Sequence, residues 1–278
     1  STFGLRSDEH TTVGRKTSGR TTVAYRLNGN SKIRSSLGAG VRFPALYDYK
    51  YGSETIVDKG GTLEEIQSER GLSFDLGYDT YLDNLDLGLS VTLFKAEEKN
   101  SILNNARTEW VQRNAAGVNT SKGIELSGNW KPADKKISLN FGYTFTDTYD
   151  GATCDPREIA AYADNECGDI GSKVQTAKVR VPRHAIQSKI NYNISSNLKS
   201  SLKGKYVGET RDFGNANNDY TDVILTDYFV LDLETSYQLF NGYRATISIG
   251  NILDEEYEQA LQYSSMGRTF NFGIRRVY

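Results

Sequence analysis

The sequence lacks several features that whole classes of protein require. It has no uninterrupted apolar run near the roughly 20 residues that a spanning helix needs, which excludes a helical membrane protein. The net charge of −2 gives no reason to expect nucleic acid, because nucleic-acid binders carry a basic patch. Proline (4), cysteine (2), histidine (2) and methionine (1) are scarce.

The start, STFGLRSDEH, has no basic stretch before an apolar core, so we expect either a protein that is not exported or a mature or partial chain.

Tyrosine (18), phenylalanine (11) and glycine (26) are plentiful, and this composition favours strands and tight turns over packed helices. Only 37% of the residues are hydrophobic, and the mean hydropathy is −0.55. These values remain compatible with a transmembrane β-barrel, because each of its strands is apolar on one face only. The first prediction is therefore an all-β protein.

Apolar and polar residues alternate with a period of two in many segments, which places every second side chain on the same face of a strand. From Tyr228 to Leu239 one face is mainly apolar and the other mainly polar. The same pattern recurs at 33–43, 137–146 and 186–194, and charged residues repeatedly fall on the polar face. We predict an outer face that contacts lipid and an inner, hydrated face.

Several of these segments reach about 10 residues, which suits tilted strands that cross a membrane better than the shorter strands of a soluble sandwich. Short turns alternate with longer polar connections, as in outer-membrane barrels. The sequence thus predicts one antiparallel transmembrane β-barrel domain of about twelve strands, with the C-terminus on the periplasmic side. The predicted short turns are 28–31, 83–84, 132–135, 195–197 and 240–242, and the predicted long connections are 44–65, 151–180, 213–226 and 254–267.

Short motifs at ordered spacings resemble those of TonB-dependent outer-membrane receptors. The segment 250–257, GNILDEEY, is similar to the family's N-L-F-D-x-x-Y signature, and Gly267-Arg268-Thr269-Phe270 follows it before a last strand that ends in an aromatic residue. The segment 40–47, GVRFPALY, resembles G-F-R-A-P-x-L-Y, with Phe43 in place of a small residue. Weaker similarities occur at 66–69 and 74–77, where Ser68 replaces a proline, and at 114–126 and 181–184.

The resemblance implies a 22-stranded barrel that holds an N-terminal plug, so we expect residues 1–278 to be the C-terminal part of the barrel domain, without the plug and the first strands. It also implies import of a scarce chelate, such as a ferric siderophore or cobalamin, across the outer membrane of a Gram-negative bacterium. The implied partners are outer-membrane lipid, the TonB complex acting through the missing plug region, and the barrel-assembly machinery, which recognises the last strand, Thr269 to Tyr278. No cofactor and no enzymatic activity are expected.

Two other functions stay open at this point. A passive channel of about twelve strands has the same alternation but no energy coupling. An outer-membrane hydrolase needs a histidine close to a nucleophile. The histidines are His10 and His184, and His184 is interpreted as the first residue of a strand.

Cys154 and Cys167 lie in the longest predicted connection, and an oxidising location would let them form a disulfide. The alternative is a metal pair, although no histidine lies nearby and the spacing is not C-x-x-C. The same connection is acidic, which suits either a cationic ligand or a solvated surface.

Two further groups of residues are candidates for contact with substrate or plug. The first is aromatic and forms either a platform for a planar chelate or part of an interfacial girdle. The second is basic, lies on the predicted inner face, and contacts either the plug, a bound anion or only the water of the lumen. The aromatic group is Tyr47, Tyr49, Tyr51 and Tyr263, and the basic group is Arg34, Arg42, Arg244 and Arg275. Arg276 interrupts the apolar face of the last strand near its periplasmic end, where its side chain can reach the headgroups.

Overall fold

A computed structural model describes residues 1–48, 66–105, 111–115, 117–133, 136–151, 177–214 and 222–276. Within these ranges no helix is long and apolar enough to cross a membrane. The longer strands are β1 (Thr2–His10), β2 (Gly14–Arg26), β3 (Ser31–Arg42), β4 (Glu69–Leu82), β5 (Leu87–Lys99), β8 (Asn119–Trp130), β9 (Ile137–Tyr149), β10 (His184–Asn193), β11 (Leu198–Val207), β14 (Tyr228–Gln238), β15 (Tyr243–Gly250) and β18 (Thr269–Arg276). The shorter ones are β6 (Ile102–Asn105), β7 (Val111–Asn114), β12 (Thr210–Asp212), β13 (Val223–Leu225), β16 (Glu258–Ala260) and β17 (Tyr263–Ser264).

The longer strands form one 12-stranded sheet in the order β1-β2-β3-β4-β5-β8-β9-β10-β11-β14-β15-β18. Every neighbouring pair in this sheet is antiparallel, so each strand pairs with the next long strand of the chain. This result confirms the predicted all-β class and the count of about twelve strands. Among the described strands, β1 and β18 pair on one side only, so the sheet has two edges and is not closed.

The register divides the sheet into an apolar face and a polar face. In the pairing of β4 with β5, Leu76 lies opposite Leu93 and Tyr78 opposite Val91, whereas Asp75 lies on the other face. The large apolar side chains are exposed, as shown by Phe272 of β18 at 69%. This arrangement is opposite to that of a soluble sandwich, and it suits a sheet that lipid contacts on its apolar face.

The connections differ in length at the two ends of the sheet. At one end, called the short-turn end, compact turns join β2 to β3, β4 to β5, β8 to β9, β10 to β11 and β14 to β15, as predicted. At the other, called the long-connection end, the links are longer and contain the hairpins β6–β7, β12–β13 and β16–β17. The residues 11–13 are an exception, because this turn is short and yet lies at the long-connection end. The connection with the β6–β7 hairpin was not among the predicted long connections.

Among the residues that the structure describes, the buried apolar side chains are few and do not form a central core. They lie where the long connections leave the sheet, so that packing ties the connections to the strands rather than filling the space beside the polar face. These residues are Ile66, Ala115, Val207, Leu225 and Tyr228.

Candidate functional site

The polar face of β3, β4 and β5 carries a network of ion pairs around Arg34, near the short-turn end. Its Nε lies 3.1 Å from Oδ2 of Asp79, and its Nη2 donates to the hydroxyl of Thr92 at 2.6 Å. Gly77 of β4 makes this arrangement possible, because a Cβ at that position would lie 2.6 Å from the guanidinium carbon. Arg34 therefore lies flat across β4 and ties three strands together.

A recess of about 840 Å³ lies next to this network, towards the long-connection end. Its floor consists of small residues on the polar faces of β1 to β4, including Gly4, Gly40 and Gly71. At Gly4 and Gly40 an added Cβ would meet nothing within 4 Å, so local packing does not require a glycine there. The small side chains leave open space above the sheet, and that space is available to another molecule or segment.

Charged side chains of both signs line the recess, including Arg20, Arg42, Glu69 and Glu98. Arg42 is paired with Glu69, with 2.7 Å between its Nη1 and Oε2 of the carboxylate. Arg20 donates to the neutral hydroxyl of Ser36 at 3.3 Å and so brings a positive charge to the recess. The floor of small residues and the positive charge of Arg20 beside it together suit an anionic or polar group that approaches from the polar face.

One junction at the long-connection end joins three of the motifs that the sequence analysis identified. Glu69 is buried, accepts from Arg42, and also accepts from the backbone N–H of Ile102 at 2.8 Å. Asn114 donates to the carbonyl of Gln67 and accepts from its N–H. The segments 40–47, 66–69 and 114–126 therefore meet as a structural joint between β3, β4 and the β6–β7 hairpin.

A second junction is built around Asp212, whose side chain is completely buried. Its carboxylate accepts from Arg180 Nε at 2.8 Å, from the N–H of Phe213 at 2.8 Å and from the N–H of Leu261 at 2.6 Å. Burial raises the pKa of Asp212, but these three donors outweigh it and the pKa is lowered overall. Three separate connections, between β9 and β10, β11 and β14, and β15 and β18, are thus fastened to one carboxylate.

The segment 250–257 forms a tight turn held by Asn251, which has a positive φ of 50°. Its amide nitrogen donates to the carbonyls of Glu255 at 2.9 Å and Met266 at 3.3 Å, and its amide oxygen accepts from the N–H of Glu255 at 2.9 Å. Tyr257, the last residue of the motif, stacks on Tyr228 with 4.0 Å between the ring centroids. The signature-like residues therefore shape the connection rather than present side chains to a ligand.

Two substitutions of Asn251 distinguish the contribution of its side-chain hydrogen bonds from that of its positive φ. We expect Asn251→Ala to cost about 2–4 kcal/mol of local stability, because it loses three hydrogen bonds of about 1 kcal/mol each and because alanine adopts the left-handed conformation less readily than asparagine. Asn251→Gly tolerates that backbone conformation and should cost about 1 kcal/mol less. Hydrogen exchange of the backbone amides between residues 252 and 268 measures the effect. Equal protection in the glycine variant and the wild type would contradict the assigned role of the side-chain bonds.

The candidate tyrosines are only partly within the described residues. Tyr47, which is 51% exposed, precedes β4 in the connection from β3, and Tyr263, which is 74% exposed, lies in the connection from β15 to β18. Both stand beyond the ends of the long strands, and they lie in connections far apart in the strand order. Tyr49, Tyr51, Cys154 and Cys167 fall outside the described residues.

The four candidate arginines all fall on the polar face, but in two separate places. Arg34 and Arg42 lie on β3 and already pair with carboxylates of β4. Arg244 of β15 and Arg275 of β18 are directly opposite each other at the far edge of the sheet. The structure therefore does not unite the four in one site.

His184 lies on the apolar face, where Nδ1 is 2.9 Å from the hydroxyl oxygen of Tyr143 and the ring packs against Phe145. It begins β10, as the sequence analysis predicted. Asp212 and Asn251, by contrast, are buried anchors that the sequence did not indicate, and neither did it indicate Arg180 as the half-exposed partner of Asp212. A charged residue in a polar connection gives no sequence signal of burial, because its partners come from connections that are distant in the chain.

Comparison with known proteins agrees with this architecture. The family model described as "TonB dependent receptor-like, beta-barrel" matches residues 1–252. A curated relative, the vitamin B12 transporter BtuB of Vibrio cholerae, is 22% identical over 273 residues. This match covers 97% of the chain but only 38% of the relative. The chain thus spans well under half the length of the protein it matches.

Solved structures show the same fold at low sequence identity. The siderophore receptor PirA from Acinetobacter baumannii aligns with a TM-score of 0.73 at 14% identity, over 98% of this chain and 42% of that one. The ferripyoverdine receptor of the Pseudomonas aeruginosa outer membrane aligns with a TM-score of 0.70 at 15% identity, over 95% and 33%. The 12-stranded sheet is therefore similar to a part of these larger proteins.

Proposed function

The chain belongs to the family of TonB-dependent receptor-like β-barrels, and on this premise we propose that it forms part of the wall of an outer-membrane receptor that imports a scarce chelate. The observation that carries the proposal is the recess of small residues on the polar face, bordered by Arg20 and Arg42. The curated relative is a transporter of vitamin B12, and two similar structures are siderophore receptors. The positive charge of Arg20 at the recess suits an anionic chelate best, so a ferric siderophore is the first candidate and cobalamin the second.

The proposed orientation follows from the connections and the two faces. The short-turn end faces the periplasm and the long-connection end faces the outside, as is usual in outer-membrane barrels. The apolar face contacts lipid, and the polar face lines the lumen. Tyr47 and Tyr263 then lie on the outer surface, where a chelate first arrives, and the recess lies below them along the entry route.

The rest of the receptor is proposed to supply the missing wall and the plug. Strands outside residues 1–278 would pair with the edges β1 and β18 and remove the cost of unpaired backbone groups in lipid. A plug would occupy the rest of the lumen beside the polar face and would gate passage. Among the candidate arginines, Arg244 and Arg275 are the most suited to contact the plug, because they lie opposite each other with like charge on the lumen side.

Energy and assembly require further partners. We infer that the TonB complex drives import through the plug, and that the barrel-assembly machinery recognises β18. Phe270, Phe272 and Ile274 of β18 are exposed at 60–71% along one face of an edge strand, which supports this role. No enzymatic step belongs to this proposal.

The recess can be blocked without disturbing the lipid-facing wall. We expect Gly40→Phe to lower uptake at least about tenfold, because a Cβ at this position meets nothing within 4 Å and the ring beyond it would take up space in the recess. The control is Val41→Phe, which adds the same ring on the apolar face, where lipid accommodates it. Uptake of a labelled ferric siderophore or of cobalamin, normalised to the amount of folded receptor, gives the comparison.

The substrate and the energy source need a separate experiment in cells. A deletion strain is grown on a panel of ferric siderophores and cobalamin as sole sources of iron or vitamin, with and without TonB. The proposal expects a growth defect on one chelate that the cloned receptor rescues only in the presence of TonB. Rescue without TonB would favour a passive channel, and growth equal to the parent on every chelate would refute the proposed substrate class.

A further inference from the structure

The apolar face is not uniformly apolar, because basic residues are concentrated near its long-connection end. The register of β4, β5 and β8 places Arg70, Lys95, Lys99 and Lys122 on this face, and all four are exposed. Arg183 joins them from the start of β10, where its guanidinium lies 5.7 Å from the ring centroid of Phe145. These five residues are called the outer basic patch.

Like charges face each other directly within the outer basic patch. Lys95 lies opposite Lys122 in the pairing of β5 with β8, and Arg70 lies opposite Lys99 in the pairing of β4 with β5. Such cross-strand pairs destabilise a sheet unless an anion lies between them.

The nearby carboxylates compensate only part of this charge. Glu97 lies 2.7 Å from Lys95, and Asp147 is shared between Lys122 at 3.5 Å and Arg183 at 3.3 Å. Five cations thus stand beside two carboxylates on one face. The side chains of Lys95 and Lys122 remain 57% and 62% exposed.

The height of the patch matters as much as its charge. Lys95 is eight residues from Leu87, which lies at the short-turn end opposite Trp130. That distance is about 27 Å along a strand, or about 20 Å in height at the usual tilt of barrel strands. Since the apolar belt of a barrel is about 25 Å tall, Lys95 lies about 5 Å below its outer boundary, where the headgroups begin and which a lysine side chain can reach.

The opposite boundary of the same wall has a different composition. Between Leu93 and the short turns, the described residues of the apolar face on β4, β5, β8 and β9 include no Asp, Glu, Lys or Arg. Trp130 marks this boundary instead. If the patch only reflected a general need for polar residues at both membrane interfaces, charged residues would be expected at both ends of these strands.

We propose that the outer basic patch binds the phosphorylated sugar headgroup of a glycolipid in the outer leaflet. The cations are spaced along three strands and can contact separate phosphates, while Phe145, His184 and Tyr143 offer aromatic surface beside them for a sugar ring. This inference rests on the orientation given under the proposed function, with the long-connection end outside. It concerns the lipid-facing wall, not the lumen.

The test compares two double variants of the full receptor, extracted from outer membranes in mild detergent. Lys95→Gln with Lys122→Gln removes one of the opposed pairs of the patch. The control, Lys199→Gln with Lys203→Gln, removes two exposed lysines from the polar face of β11. Mass spectrometry measures the glycolipid that co-purifies with each protein, and we expect it to fall about tenfold in the patch variant only.

A second measurement identifies the headgroup. The thermal midpoint of the wild type is recorded with vesicles that contain bisphosphorylated lipid A, dephosphorylated lipid A or phosphatidylglycerol. The proposal expects stabilisation by the bisphosphorylated form alone, and loss of that stabilisation in the patch variant. Equal stabilisation by phosphatidylglycerol, or equal glycolipid content in both variants, would overturn it. Chelate uptake is assayed separately, so failure of the wild type to import any chelate refutes the transport proposal and leaves the lipid result standing.

Discussion

Replacing Asp212 by alanine is expected to release the three connections that its carboxylate holds together. The substitution leaves the N–H groups of Phe213 and Leu261 without their acceptor and removes the ion pair with Arg180. Each unsatisfied buried donor costs about 1–3 kcal/mol, so a local loss of about 3–5 kcal/mol follows for the junction. Hydrogen exchange should show this as a loss of protection of about two to four orders of magnitude at the amides of 213 and 261.

The control for this experiment is Asp8→Ala, which removes a carboxylate paired with Arg6 in an exposed position on β1. An exposed pair contributes about 0–1 kcal/mol, so protection at the junction should not change. Protection that survives in the Asp212 variant would show that the connections are held by packing alone.

The same carboxylate makes the junction sensitive to acid. Because the pKa of Asp212 is lowered in the folded protein, its contribution is fully present above the pKa of an unfolded aspartate, about 3.9, and is lost as the pH falls through the lowered value. Protection at the amides of 213 and 261 should therefore remain constant from pH 7 to about 5 and decrease only below about 4. The Asp212→Ala variant should lack this decrease.

Gly123→Ala is expected to disrupt the barrel wall itself. A Cβ at Gly123 would overlap the carbonyl oxygen of Phe145 and approach the ring of Phe94 to 2.7 Å. The carbonyl belongs to the backbone of β9 and cannot rotate away, so β8 and β9 must separate locally. Overpacking of this kind typically costs about 1–3 kcal/mol, and a backbone clash places the effect at or above the upper end.

Gly40→Ala is the matched control, since it adds the same methyl group on the same polar face where nothing lies within 4 Å. It should be neutral or stabilising by up to about 1 kcal/mol, because alanine is less flexible than glycine in the unfolded chain. The midpoint of urea unfolding in detergent micelles measures both variants. A Gly123 variant as stable as the Gly40 variant would contradict the close approach of β8 and β9.

The two kinds of site in this wall differ in what they are built to do. The Glu69 and Asp212 junctions use fully engaged polar groups to fix the bases of the connections, so their substitution should change loop stability before it changes specificity. The recess and the outer basic patch instead leave charge and space uncompensated, and for that reason they are the places where a chelate and a glycolipid are proposed to bind. Substitutions there should change binding with little effect on folding.

The sequence by itself determined the sheet, because alternation is a local property that each strand displays on its own. The faces of β9 and β14, the twelve long strands and five short turns could all be predicted from side-chain period and turn composition. The last strand was assigned with its lipid-facing Phe270, Phe272 and Ile274, and the structure confirms that face, with Arg276 on it beside Tyr243. The motifs at 250–257 and 267–270 likewise indicate the family from the sequence alone.

Only the tertiary structure decided which polar residues anchor the connections and which remain available to a ligand. Asp212 and Arg20 are both charged residues in a polar sequence environment, yet one is completely buried among three donors and the other borders an open recess. The opposed pairs of the outer basic patch also depend on strand register, since Lys95 and Lys122 are brought together by pairing across a long connection. Burial and register arise from contacts between segments that are distant in the chain, so the local alternation of apolar and polar residues does not determine them.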